Sequence, residues 1–206
     1  MPKDIKKLVR EGYNKAAKGY HASRNDDLPE VKILPKFIDK IKPGSKVLDA
    51  GCGAGYPVTK ILSERFETIG VDISDEQIRL AKENAPKATF KRQDMTEIDY
   101  PDDYFGGIIC YYAIFHVPRE EHFDLLKNFH RMLKPGGVAL IVFSMGDEPC
   151  YINEDFFGAK MYWNNWSNEV YLEMLEKIGF EILWKDNIND SLNETSWHMF
   201  VLSQKK

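Results

Sequence analysis

Val47-Leu48-Asp49-Ala50-Gly51-Cys52-Gly53-Ala54-Gly55 is the stretch that decides the fold. It begins as an apolar strand, ends that strand on an acid, and runs into a loop with glycine at every second position. Tyr56-Pro57-Val58-Thr59-Lys60-Ile61-Leu62 then reads as the start of a helix, with Pro57 suited to its first turn. A strand, a glycine loop and a helix in succession bring bare main chain close to a nucleotide-like ligand. Glycine serves there because it lacks a Cβ and adopts positive φ readily.

Outward from this stretch, strands and helices alternate. Strands are expected over 46–49, 68–72, 88–92, 107–111 and 138–143, with helices near 57–65, 75–84 and 119–133. Such alternation implies right-handed crossovers and a parallel sheet covered on both faces. Upstream, Ile5, Leu8, Val9, Tyr13, Ala16, Ala17 and Tyr20 form one apolar stripe of a helix over 3–20. A second helix over 34–41 stops at Pro43-Gly44. Downstream, 144–167 lacks a period, a helix covers 169–178, and two closing strands cover 180–184 and 197–202.

The glycine spacing separates ligand classes. A nicotinamide or flavin site asks for G-x-G-x-x-G, which would need glycine where Tyr56 stands. The pattern here is D-x-G-x-G-x-G, followed in order by Asp72 at the second strand's end, Asp94-Met95 after the third, and Leu133-Lys134-Pro135-Gly136-Gly137 before the fifth. With these motifs the chain resembles the class I S-adenosylmethionine-dependent methyltransferases over residues 44–143. The resemblance implies an α/β, Rossmann-like, doubly wound and mostly parallel seven-stranded sheet whose last strand is antiparallel. It also implies S-adenosyl-L-methionine as cofactor and S-adenosyl-L-homocysteine as product.

Asp72 lies 21 positions after Gly51, where an acid receives both ribose hydroxyls in folds of this kind. Ser74 and Gln77 offer a capping box for the next helix, which leaves Asp72 for a ligand. By resemblance, Asp94 accepts from the adenine amino group, the main chain of Met95 meets the ring, and Ile73 presses on one face. Asp49 orders the loop or approaches the methionine end. Main-chain carbonyls of Cys110 and Tyr111 hold the ammonium. Ala50, Gly51, Cys52, Gly53, Gly55 and Gln77 complete the cradle, and Tyr20 closes over it.

Methyl transfer requires in-line alignment and exclusion of water, and a base only where the acceptor must lose a proton early. His116 is the candidate base, at the sheet's carboxyl edge where open α/β sheets bind ligands. His122, on the following helix, is expected to be solvated. Tyr13, Tyr112, Tyr162, Trp163 and Trp166 are candidates for the acceptor site, because long segments rich in aromatics serve as lids or binding loops. One domain is expected, with 1–43 as a helical cap, 44–143 as the cofactor core, 144–168 as a substrate lid and 169–206 as the closing helix and strands.

A chain of 206 residues suits one such domain. Its net charge of −4 gives no basic footprint for nucleic acid. No signal sequence or membrane span is evident. Three scattered cysteines and no C-x-x-C fit a reducing cytoplasm without disulfides or a bound metal. The expected partner is a small-molecule acceptor, and the expected state a monomer or homodimer. Two rival readings remain: a non-catalytic module that binds the same cofactor or its product, and a nicotinamide-dependent oxidoreductase, which the glycine spacing opposes.

Overall fold

A computed structural model describes residues 2–25, 27–28, 31–190 and 193–206. Its elements run α1 (Pro2–Ala22), α2 (Leu34–Ile38), β1 (Lys46–Ala50), α3 (Val58–Ser63), β2 (Glu67–Asp72), α4 (Asp75–Asn84), β3 (Thr89–Arg92), β4 (Phe105–Cys110), α5 (His122–Met132), β5 (Leu133–Ser144), β6 (Glu148–Phe156), β7 (Ala159–Asn165), α6 (Asn168–Ile178), β8 (Phe180–Asp190) and β9 (Asn193–Lys205). Seven strands form one sheet in the order β3-β2-β1-β4-β5-β9-β8. β1 to β5 pair in parallel, and β9 lies antiparallel between β5 and β8. The order reverses between β1 and β4, and that reversal opens a crevice at the carboxyl ends of the strands.

Alternation along the central strands explains why both faces are covered. Leu48, Ile108, Ile141 and Val201 pack on the face that carries α5 and α6, with Phe129 and Tyr171. Val47, Ile109, Leu140 and Phe200 pack on the opposite face with Leu34 and Phe37 of α2 and Leu62 of α3. Strands buried on both sides read as continuous apolar runs, as in Val138-Ala139-Leu140-Ile141-Val142-Phe143. Gly107 lets α2 approach β4. A Cβ there would lie 2.4 Å from the Ile41 side chain and 2.8 Å from Phe37 Cζ.

Three local expectations are revised. The segment 144–167 is a hairpin, with β6 paired antiparallel to β7 and Phe157-Gly158 turning between Phe156 and Ala159. Both turn residues have positive φ (50° and 80°), the geometry a two-residue hairpin turn needs. Phe at the first position hides that signal from sequence. α2 ends at Ile38 rather than residue 41, because the α-type bond from Asp39 N–H to the Pro35 carbonyl is followed by tighter turn bonds from Lys40 and Ile41 N–H to the Phe37 and Ile38 carbonyls. His122 is fully buried rather than solvated: its Nδ1 meets Tyr171 Oη at 2.9 Å and its Nε2 meets the Val117 carbonyl at 2.9 Å.

Gly107→Val tests the seating of α2. The added isopropyl group would overpack a filled site, so chemical denaturation should show a loss of about 2 kcal/mol. An unchanged midpoint would mean that α2 does not rest on β4.

Candidate active site

The glycine loop is tied to β2 by its own main chain. Gly51 and Cys52 N–H both donate to the Val71 carbonyl, at 2.8 and 2.9 Å. Gly53 N–H donates to Asp72 Oδ2 at 2.9 Å, and Ser74 N–H donates to Asp72 Oδ1 at 2.8 Å. The capping box is therefore half formed. Ser74 Oγ accepts from Gln77 N–H at 3.1 Å, but Asp72 takes the bond that the Gln77 side chain would have made. The Gln77 amide is left buried with neither its nitrogen nor its oxygen hydrogen-bonded. A Cβ built on Gly53 would meet nothing nearer than Gln77 Oε1, 4.0 Å away. Open space over a bare main chain, beside an orphaned amide, is a cradle for a polar ligand.

Two small cavities meet at Gly51. One, of about 50 Å³, is lined by Tyr13, Asp72, Ile73, Asp94, Met95 and His116. The other, of about 70 Å³, is lined by Tyr20, Asp49, Cys52, Gly53, Tyr111 and Tyr112. A third cavity of about 920 Å³ under the β6–β7 hairpin adjoins both, sharing Tyr13 and His116 with the first and Tyr20 and Tyr112 with the second. Helix α1 roofs the crevice. Its Lys6 bridges Asp94 Oδ2 at 3.1 Å and Glu121 Oε2 at 2.6 Å, and its Asn14 Oδ1 accepts from Ser74 Oγ at 2.7 Å.

His116 sits in a defined network. Its Nδ1 lies 2.7 Å from the Tyr162 carbonyl and its Nε2 lies 2.8 Å from Tyr13 Oη. A carbonyl can only accept, so Nδ1 carries the proton and Nε2 accepts from the Tyr13 hydroxyl. Burial lowers the His116 pKa to about 4, and keeps the ring neutral at pH 7. Burial likewise pushes the Tyr13 hydroxyl well up. Burial lifts Asp72 to about 6 against its main-chain hydrogen bonds, and Asp49 to about 7 against the hydrogen bond from Thr59 Oγ1 at 2.5 Å.

Not every expected residue reaches a cavity. Ala50 and Cys110 belong to the core, so only their main chain is at the crevice edge. Gly55 is required by packing: a Cβ there would lie 3.1 Å from Ala81 of α4, at a φ of +72°. Trp166 faces away, its Nε1–H donating to the Arg119 carbonyl at 2.9 Å. Tyr162 contributes its carbonyl, while its ring packs with Val9. Trp163 does line the large cavity. Sequence reasoning missed Lys6, Arg24, Asp190, Trp197 and His198. Lys6 shares the face of Val9, Tyr13 and Tyr20 by helical spacing, a legible signal. Arg24 follows α1, four residues after Tyr20, and Asp190, Trp197 and His198 come to the cavity only through the place of β8 and β9 in the sheet.

The family of this site follows from comparison with known proteins. Residues 47–137 match the model of a methyltransferase domain. Over these residues the chain is a methyltransferase domain of the class I, S-adenosylmethionine-dependent kind. Relatives of this chain include a sterol 24-C-methyltransferase from Yarrowia lipolytica, 30% identical over 77% of this chain and 45% of that protein. Another is phosphoethanolamine N-methyltransferase 3 from Arabidopsis thaliana, 33% identical over 73% of this chain and 32% of that protein. The chain thus spans less than half the length of these relatives. In fold it is similar to 1,6-didemethyltoxoflavin-N1-methyltransferase from Burkholderia thailandensis, with a TM-score of 0.77, 18% identity, and coverage of 100% of this chain and 91% of that one.

Asp49→Asn tests the buried acid in the crevice. The folded carboxyl keeps its proton up to about pH 7, whereas the unfolded one loses it near pH 4. Asp49 therefore costs stability increasingly as pH rises through that window. Melting of the variant relative to the parent should improve from pH 5 to pH 8. An equal difference at both pH values would mean that Asp49 carries no burial penalty.

Proposed function

We propose that this chain transfers the methyl group of S-adenosylmethionine to a small-molecule acceptor by in-line displacement. The observation that carries the reading is the cradle at Gly53: open space over bare main chain, flanked by the orphaned Gln77 amide and the Asp72 carboxylate. The bound cofactor supplies a methyl group activated by a sulfonium. The protein supplies position. Each Asp72 oxygen receives one main-chain N–H and keeps a lone pair for a ribose hydroxyl. Ile73, Asp94 and Met95 bound the compartment suited to the adenine, with Lys6 giving up its hold on Asp94 as the base enters. Gly51, Cys52 and Asp49 bound the compartment for the amino-acid end, together with the main chain of Cys110 and Tyr111, and Tyr20 lies over it. The roof of α1 and the hairpin serves as the lid over both ligands.

Tyr13 and His116 act as a pair. An acceptor proton passes to Tyr13 Oη while the Tyr13 proton moves to His116 Nε2, leaving an imidazolium held by the Tyr162 carbonyl. With His116 near pKa 4, that transfer is uphill at pH 7 by about 4 kcal/mol. Such a weak base suits an acceptor whose proton becomes acidic only as the new bond forms, as an amine's does. The sterol and phosphoethanolamine enzymes named above support a small-molecule acceptor. No described helix is long and apolar enough to cross a membrane. We place the reaction in the cytoplasm, carried out by a monomer or homodimer.

Calorimetry with S-adenosylhomocysteine, beside labelled-methyl transfer into a metabolite extract, tests the reading. The parent should bind in the micromolar range. Gly53→Asn, whose side chain tolerates the loop's positive φ but fills the cradle, should abolish binding. Asp72→Ala should lose about 1–3 kcal/mol of binding. Unchanged affinity in both variants would overturn the placement, and tight binding with no label in any product would leave a binding module instead. Tyr13→Phe should lower kcat by about 10²-fold with the homocysteine product's Kd unchanged. An unaltered kcat would remove the Tyr13–His116 pair from proton transfer.

A further inference from the structure

The cavity under the hairpin has a character that the cofactor reading does not explain. Its volume of about 920 Å³ lies at the top of the range for sites that hold drug-sized ligands. A two-carbon amine would leave most of it wet. Five large apolar side chains are exposed among the described residues, and four of them gather at this one cavity: Met145, Tyr151, Phe157 and Trp197. Apolar surface collected in one place marks a contact made for a ligand. Deeper in, Trp163 lies 5.2 Å from His116 in a tilted arrangement and 5.1 Å from Phe156 edge to face. The wall is therefore rich in aromatic rings, whose faces carry partial negative charge.

Acidic side chains outnumber basic ones on the wall. Glu148, Asp155 and Asp190 line the cavity, and Arg24 is the single cationic side chain lining it among the described residues. Glu148 Oε1 accepts from Cys150 N–H at 3.1 Å and Asp155 Oδ1 from Gly158 N–H at 2.9 Å. These are main-chain bonds that hold the carboxylates without neutralising them. Arg24 is committed to the protein: it donates to Tyr20 Oη at 2.5 Å and stacks over the Tyr20 and Tyr112 rings at 4.5 and 5.2 Å. At the far end, His198 is buried, with no hydrogen bond to its Nδ1, which lies 3.8 Å from Asp190 Oδ2. Burial lowers its pKa, so it adds no positive charge at neutral pH.

We propose that the acceptor is a bulky organic cation, an aromatic or alicyclic body bearing a positive charge, seated among the rings of this cavity with its charge toward Glu148, at the end of β6 away from Tyr13. The proposal rests on the methyltransferase reading of the site. Ring faces and carboxylates together attract a cation that has shed part of its water, and the same surface repels a phosphomonoester or sulfonate. The charge serves recognition, and the methylated atom lies at the other end of the body, toward Tyr13 and Tyr112.

Two pyrene probes of matched bulk separate the classes: (pyren-1-ylmethyl)trimethylammonium and pyrene-1-sulfonate, followed by fluorescence anisotropy with S-adenosylhomocysteine at saturation. The cation should bind at least tenfold more tightly than the sulfonate. Glu148→Gln should reduce that preference at least fivefold and leave the affinity for S-adenosylhomocysteine unchanged. Equal affinities, a preference for the sulfonate, or binding of neither probe would overturn the proposal. So would a preference for the cation that survives the substitution. Failure of S-adenosylhomocysteine itself to bind, measured separately, would strike the methyltransferase reading instead.

Discussion

The carboxylate of Asp72 accepts two main-chain N–H groups, one from Gly53 and one from Ser74. That pair of bonds joins the glycine loop to the end of β2 and the start of α4. Burial opposes it strongly enough to lift the acid to about pKa 6. The loop nonetheless holds its shape, because Gly51 and Cys52 N–H also converge on the Val71 carbonyl. Everything at the crevice is placed from this knot. Gly53 faces open space, Gln77 is left beside it, and Asn14 of α1 reaches Ser74. An acid at this position shapes the loop and remains available to a ligand, whereas a neutral residue would do one at most.

The core of the fold was legible because it is written in local chemistry. A buried strand followed by alternate glycines can be read from nine residues, and the apolar run over 138–143 can be read as a strand covered on two faces. The stripe through Val9, Tyr13 and Tyr20 gave the roof helix. The hairpin over 148–165 was not legible, since its turn is Phe157-Gly158 rather than a common turn pair and its strands include a register shift. At the site, Asp72, Ile73, Asp94 and Met95 fell where their motifs put them. Gly55 and Trp166 did not, because only tertiary contacts show that one meets Ala81 and the other meets Arg119. His198 lies on β9, whose partner β5 is more than fifty positions away, and no local pattern could place it and Asp190 at a cavity.

The two halves of the crevice differ in kind. The compartments around Gly51 are narrow and share the main chain of the glycine loop, a geometry that reads the shape of one ligand closely. The cavity under the hairpin is wide and walled by side chains, which a few substitutions can reshape without disturbing the sheet. Tyr13, Tyr20 and Tyr112 stand on the boundary, and Tyr112 holds it with a φ of +51°, a conformation that costs free energy outside glycine. Its ring meets His198 at 4.9 Å on the cavity side. Strain at such a junction keeps one side chain common to both compartments.

The placement of β9 has its own consequence for how the chain assembles. It fills the slot between β5 and β8, and supplies Phe200 to one layer of the core and Val201 to the other. Until residues 198–204 arrive, β5 and β8 each present an unpaired row of N–H and carbonyl groups over apolar side chains, a surface prone to join with another chain. Closure also waits on partners some sixty positions apart, such as Val138 with Gln204, and contacts so distant in sequence form slowly. Aggregation during synthesis is therefore expected to respond most to β9, and least to the glycine loop that gives the crevice its chemistry.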